Sequence, residues 1–331
     1  MGFDVLAVGD LNCDLVLTDV SRPPMVNTEV LAETYRFTLG GSTGIFAAVL
    51  GSLGAQVGFV GLTGQDRHGG FLRRALASHH VDLGGLLSDP HIQTGLTISL
   101  MCQGDRALVT VLGSIACLRE QDIPWDYVGQ ARHLHVGQYY LQTGLRLAMP
   151  KVFAEARRMG LTTSLDVGWD PVEEWDWPSV ATLLPLIDVF LLNETEALHL
   201  TGRQDTESAL ADLVAAGANT ATIKLGVRGA IVGCGMKRVY GAPFPVNAID
   251  TTGAGDSFDA GFVHRWLAGD NLQSCLAFAN ACGALAVSRI GGADGACTET
   301  DVRAFMDLAS VTRNCNSPCC YTDKQAWACP T

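Results

Sequence analysis

The residues best suited to chemistry lie in one run, Asp250-Thr251-Thr252-Gly253-Ala254-Gly255-Asp256-Ser257-Phe258-Asp259-Ala260-Gly261-Phe262. It follows an extended stretch at 244–249 and opens an apolar-periodic segment carrying Phe258, Phe262, Val263 and Trp266. The glycine-rich turn therefore falls where a helix begins. There the first backbone N–H groups lack intrahelical acceptors, and the helix dipole favours negative charge. Gly253 and Gly255 let the chain approach an anion closely. Together these features make a cradle for a phosphate or an oxyanion. The N–H groups and dipole are expected to favour the ionised form of Asp256. That leaves a carboxylate beside a transferring phosphoryl group, able to accept a hydroxyl proton. The structural alternative is that Asp256 caps the helix.

Other polar groups sit at the ends of apolar runs. Asn193-Glu194-Thr195-Glu196 follows one and reads, by itself, as a helix N-cap with its capping-box glutamate. Lys224-Leu225-Gly226-Val227-Arg228-Gly229 leaves another, with Lys224 either solvated or a point charge for phosphate. Gly9-Asp10-Leu11-Asn12-Cys13-Asp14 leaves the first. Short polar acceptors at the carboxyl end of a strand suit ligand recognition in an open α/β sheet, although Asp14 can equally end a strand.

These groups need a frame. Short apolar runs at 5–8, 59–62, 134–136, 163–167, 189–192 and 222–225 read as buried strands. Amphipathic stretches at 69–78, 145–159 and 207–216 read as helices between them. Strands separated by helices predict βαβ units, and hence a doubly wound, mostly parallel sheet with helices on both faces. Two regions break this rhythm. The stretches 94–101 and 107–112, joined by Gln103-Gly104-Asp105-Arg106, read as a hairpin. The stretches 16–20 and 29–37 also read as extended, with Pro23-Pro24 between them. They predict a small β-sheet lid over a site, in segments of about 14–37 and 94–112. Residues 1–310 are expected to form one domain. The segment 311–331, which holds Cys315, Cys319, Cys320 and Cys329, is expected to be a disordered tail.

Composition narrows the function. The chain has 331 residues, 48 % of them hydrophobic and 17 % charged, which predicts a packed core. A net charge of −12 with no Lys/Arg run argues against a nucleic-acid partner. No stretch reaches the roughly 18 consecutive apolar residues of a membrane span, and the opening Met-Gly-Phe-Asp lacks the basic start of a secretory signal. A cytoplasmic location is therefore expected. Of 11 cysteines, Cys13, Cys102, Cys117, Cys234, Cys275, Cys282 and Cys297 are scattered singly and read as free thiols of a reducing compartment. The C-terminal four lack the C-x-x-C spacing and nearby His of a zinc site. The chain has no G-x-x-x-x-G-K-[ST], and no G-x-G-x-x-G follows the first strand, which removes P-loop kinases and dinucleotide-dependent oxidoreductases.

Asp250-Thr251-Thr252-Gly253-Ala254-Gly255-Asp256-Ser257-Phe258 resembles the C-terminal signature of the PfkB carbohydrate kinase family, also called ribokinase-like, and the resemblance runs from Val5 to about Leu308. It implies a doubly wound α/β domain with a β-sheet lid and an ATP-dependent phosphotransferase acting on a hydroxyl of a small sugar-like acceptor. It implies Asp256 as the base and Gly253, Ala254 and Gly255 as the anion hole, with Mg²⁺ and its water shell ordered by Glu196. Asn193, Lys224, Gly226, Thr252, Gly255 and Asn280 are assigned to the nucleotide, Asn280 to its adenine pocket. Asn12, Asp14, Gly40, Gly41 and Asp256 are assigned to the acceptor. Asp250, Thr252, Ser288 and Gly291 match a K⁺ site found in many members, and homodimerisation through the lids is expected. One departure stands out: Gly40-Gly41-Ser42-Thr43-Gly44-Ile45 carries Ile45 where the family usually has an acceptor-touching Asn. A nucleoside kinase on the same fold, or a non-catalytic sugar or nucleotide sensor, is the alternative reading.

Overall fold

The computed structural model describes residues 2–102, 105–294 and 296–315. Among these residues, thirteen strands form two sheets. The larger contains β1 (Phe3–Val8), β4 (Val57–Gly64), β5 (Val81–Asp89), β8 (Ala131–Val136), β9 (Thr162–Asp166), β10 (Val189–Asn193), β11 (Thr220–Lys224), β12 (Ala230–Cys234) and β13 (Lys237–Gly241). Their order is β13-β12-β11-β10-β9-β8-β1-β4-β5, parallel from β11 to β5, with β12 antiparallel to both of its neighbours, β11 and β13.

Both faces of this sheet are buried, as a parallel sheet requires. Along β1, Val5 and Ala7 enter one apolar core while Leu6 and Val8 enter the other, because successive side chains point to opposite faces. The first core is closed by α1 (Ser42–Ser52), α2 (Arg67–Ser78), α9 (Ala254–Leu267), α10 (Leu272–Val287) and α11 (Glu299–Cys315). The second is closed by α3 (Trp125–Val128), α4 (Thr143–Arg146), α5 (Met149–Arg158), α6 (Trp177–Leu183), α7 (Glu194–Thr201) and α8 (Thr206–Ala215). This is the doubly wound architecture expected from the sequence. The helix expected at 145–159 is divided between α4 and α5. Pro150 sits in the first turn of α5, where its missing N–H costs nothing, and could not continue a helix from α4.

The second sheet has the order β3-β2-β6-β7, formed by β2 (Asn12–Thr18), β3 (Thr34–Gly40), β6 (Gly95–Cys102) and β7 (Asp105–Val111). Its first two strands start and end elsewhere than the apolar pattern suggested. β2 begins at Asn12, and β3 runs on to Gly40. Asn12 and Asp14 read as loop because they are polar, yet they pair in the ladder with Gly40 and Thr38. Their face of the sheet is turned to the site, so polar residues belong there. Positions 103 and 104 of the predicted hairpin turn lie outside the described residues. Helix α11 continues to Cys315, and the rest of the Cys-rich segment, 316–331, also lies outside them.

Candidate active site

Three neighbouring strands end in charged or polar residues at one edge of the large sheet: β9 at Asp166, β10 at Asn193 and β11 at Lys224. The register sets Asn193 beside Lys224 and Leu191 beside Asp166. The Lys224 ammonium donates to Asp166 Oδ2 at 2.7 Å and to Asp259 Oδ2 and Oδ1 at 2.8 and 3.1 Å. All three side chains are nearly removed from water. Burial opposes the charge on Lys224, but Asp166, Asp259 and Glu196 outweigh it and hold the ammonium well above its usual pKa. Burial also pushes the Asp259 carboxyl well up, while Lys224 holds Asp166 below the ordinary carboxylate value. The arrangement is a buried cluster in which the Lys224 ammonium bridges the carboxyl groups of Asp166 and Asp259. Lys224 thus has two carboxylate partners before any phosphate arrives.

Asp256 stands in the first turn of α9, whose N-cap is Gly253. Gly253 has φ +72°, and a Cβ there would lie 2.6 Å from Gly292 Cα, so only glycine permits this turn. The Asp256 carboxyl is raised to about 6 by burial and by the negative charge of Asp166, against the hydrogen bond from Ser42 Oγ at 2.7 Å. The sequence led us to expect that N–H groups and the dipole would favour the ionised form. Burial beside other carboxylates wins instead, and brings this carboxyl nearer to neutral pH, where a group exchanges protons most efficiently. Asp10 supports the other side of the site. Its carboxylate accepts from Ser42 N at 2.8 Å and from Thr43 N and Oγ1 at 3.0 and 2.6 Å, which caps α1 and aims Ser42 at Asp256.

Asn12 and Asp14 reach the same place from β2. Asn12 Nδ2 donates to Asp14 Oδ1 at 2.8 Å and to Thr97 Oγ1 at 3.1 Å. The Asp14 carboxyl is raised to about 7 by burial, with the negative charges of Asp256 and Asp10 adding to it. A Cβ on Gly40 would lie 2.1 Å from Asp14 Oδ1, so the glycine makes room for the carboxylate. Ile45 is buried and packs against Gly292 behind the glycine-rich turn. From β7, Arg106 Nη1 donates to Thr252 Oγ1 at 3.3 Å, so the lid meets the glycine-rich turn directly.

On the other side of Gly255 lies a cavity of about 490 Å³. Lys224, Gly226, Ala254, Gly255 and Asn280 line its polar part, and Phe244, Val246, Phe258 and Val287 are among its apolar walls. Its shape and lining suit a flat aromatic group with a phosphate tail near the N-terminus of α9. Asn280 belongs to the cavity wall and also donates to Gly241 O and Ala242 O at 3.0 and 3.1 Å. Asn193 and Glu196 form a complete capping box: Glu196 N donates to Asn193 Oδ1 at 2.9 Å and Asn193 N donates to Glu196 Oε2 at 2.7 Å. Burial and the charge of Asp166 raise the Glu196 carboxyl to about 7. Asp250 accepts from Thr252 N and Gly291 N, both at 2.9 Å, and so ties the two loops together. Ser288 turns its hydroxyl back onto Ala284 O at 2.9 Å.

The profile of the pfkB family carbohydrate kinases matches residues 3–300. The chain belongs to the pfkB family. It is 32 % identical to an ATP-dependent ribose-1-phosphate kinase of Halopiger xanaduensis, over 91 % of this chain and 97 % of that protein. Its fold matches an Arabidopsis thaliana ribokinase solved with ribose and ATP, with TM-score 0.78 and 26 % identity over 92 % of this chain and 99 % of that one. It also matches an E. coli protein described as a ribokinase II and solved with ATP and Mg²⁺, with TM-score 0.82 and 23 % identity over the same shares. This pfkB chain is a carbohydrate kinase that phosphorylates a hydroxyl group from ATP.

Sequence reasoning missed four contributors to the site: Asp10, Ser42, Arg106 and Asp259. Asp259 had a signal, since it lies three residues after Asp256 on one helix and so shares its face. The other three act through contacts between segments far apart in sequence, which no local pattern reveals.

Proposed function

We propose that Asp256 takes the proton of the acceptor hydroxyl while the N–H groups of the Gly253–Gly255 turn receive the charge of the transferring phosphoryl group. The observation that carries this reading is the convergence at one point. Asp256, its Ser42 partner, the Asn12–Asp14 pair and the head of α9 meet between the lid and the cavity. Asn12, Asp14, Gly40 and Gly41 hold the acceptor. Gly226, Gly255 and Asn280 line the nucleotide cavity, with Lys224 at its floor and Thr252 and Asn193 at the phosphates. Closure of the four-stranded lid excludes water and limits ATP hydrolysis.

Mg²⁺ supplies charge neutralisation on the nucleotide phosphates. It keeps several waters and needs only one or two carboxylates, which Glu196 and its neighbour Asp166 offer. Their fit is supported by the raised Glu196 carboxyl, which a nearby cation would relieve. Asp250, Thr252, Ser288 and Gly291 remain our candidate K⁺ site, with Asp250 joining the two loops that would surround it. A homodimer through the lids is supported by the exposed Tyr35, Leu108, Val109 and Val111 on β3 and β7, the edge strands of the small sheet. A cytoplasmic location is supported by seven free cysteines among the described residues. Among those residues, no helix is long and apolar enough to cross a membrane.

The test is ATP turnover by the purified protein over a panel of sugars, sugar phosphates and nucleosides with Mg²⁺, with and without K⁺. Acceptor-dependent turnover that vanishes in Asp256→Asn supports the assignment. Full activity in that variant would sink it.

A further inference from the structure

We propose that Arg106, carried by the lid strand β7, reads an anionic group on the acceptor, either a phosphate monoester or a carboxylate, and so makes this a kinase for charged sugars. The inference rests on the kinase reading above and adds the chemical class of its substrate.

The register of the lid places Arg106 on the acceptor face. Asp14 pairs with Thr97 of β6, and Thr97 pairs with Thr110 of β7. Four residues before Thr110, Arg106 lies on that same face, because side chains alternate with period two. Arg36 shares it as well, through Val16, its partner on β2. Two arginines thus sit on the face that carries the acceptor pair Asn12 and Asp14. Thr252, to which Arg106 donates at 3.3 Å, begins the anion-hole turn, so Arg106 spans from the lid to the reaction point.

Two further observations bear on what this face receives. Thr38 pairs directly with Asp14, Ser99 pairs with Val16, and Thr18 lies four residues beyond Asp14 on the same strand. All three hydroxyls are buried without a partner among the described residues, so this face holds more hydrogen-bonding capacity than the protein itself uses. The charge of Arg106 is also felt at Asp14, on the acceptor side, whereas Asp256 answers to burial, Asp166, Ser42, Lys224 and Asp10. Arg106 therefore stands within reach of the Asn12–Asp14 side as well as of Thr252. A guanidinium presents a planar fork that matches phosphate and carboxylate, and no neutral hydroxyl needs one.

The experiment compares ribose 1-phosphate, 2-keto-3-deoxygluconate and neutral ribose as acceptors, for the wild-type protein and for R106Q and R106K. Binding of each acceptor in the presence of a non-hydrolysable ATP analogue is measured beside steady-state kinetics. The wild type should favour one of the two anions, and which one names the group. R106Q should raise KM and the dissociation constant for that anion by about tenfold to a hundredfold, the loss of one charge-assisted contact, with a clearly smaller loss of kcat/KM for ribose. R106K should recover part of the loss. An equal loss for charged and neutral acceptors would overturn the proposal, since Arg106 would then act on the transferring phosphoryl group. A wild-type preference for neutral ribose would overturn it too, while the kinase reading stood. Arg106-dependent binding of an anion without any phosphorylation would do the reverse, sinking the kinase reading and keeping the role of Arg106.

Discussion

The buried charge cluster at the strand ends and the lid that faces it are built on opposite principles. In the cluster, each charge is answered by the protein: Lys224 lies between Asp166 and Asp259, and Ser42 joins Asp256 to the α1 turn capped by Asp10. On the lid, buried hydroxyls are left unanswered among the described residues, and apolar side chains stand in solvent on the edge strands. Low dielectric makes an unpaired charge expensive, so the region that handles phosphate must be satisfied before substrate arrives. On our reading, the lid is completed by what it closes upon. Under the proposed assignment, the body sets the chemistry and the lid sets the choice of acceptor.

Substitutions can break this contrast at either end. The largest effect is expected for Asp256→Asn, which keeps the shape but removes the base. We expect kcat to fall by about 10²–10⁴-fold with ATP binding retained, measured by single-turnover kinetics and nucleotide titration. Comparable losses of ATP binding and kcat would instead mean that Asp256 organises the anion hole. Next comes Lys224→Met, which leaves Asp166 and Asp259 buried without their cation. Such a broken pair costs about 3–5 kcal/mol, to be read from the denaturant midpoint. A stability close to wild type would show that the cluster relaxes more easily than its burial implies.

Changes at the lid should be milder and confined to the acceptor. Gly40→Ala drives a Cβ to within 2.1 Å of Asp14 Oδ1. We expect acceptor KM to rise about tenfold, the loss of roughly one hydrogen bond to a charged group, with KM for ATP unchanged. Parallel changes in both constants would mean that the lid and the nucleotide cavity are coupled.

The smallest effect concerns pH. With Asp256 raised to about 6, the base is ionised above that value, and kcat/KM should fall about tenfold per unit as pH drops below it. The Ser42 hydroxyl lowers this pKa, so Ser42→Ala should move the acid limb of the pH profile upward. A limb that stays in place would assign it to another group, and Asp14, raised to about 7, is the first to examine.

The sequence carried much of this protein. Alternation of apolar runs and amphipathic stretches is a local property, so the parallel sheet, its helices and the existence of a lid were legible from spacing alone. The glycine-rich turn at the head of α9 was legible for the same reason, since two glycines and an Asp at the start of a helix lie within one turn of chain. The lid strands were read a few residues out of place because Asn12 and Asp14 obey the site rather than the apolar pattern. Tertiary structure alone decided the charge states. Asp256 is raised instead of lowered because packing buries it, and because Asp166, ninety residues earlier in the chain, adds its negative charge. Lys224 is held by Asp166 and Asp259 because strand register and a helix from another part of the chain bring them together. Arg106 meets Thr252 only when the lid lies over the turn. Local pattern fixes which elements form, but pKa values and partners depend on burial and on neighbours distant in sequence, and those exist only once the chain is packed.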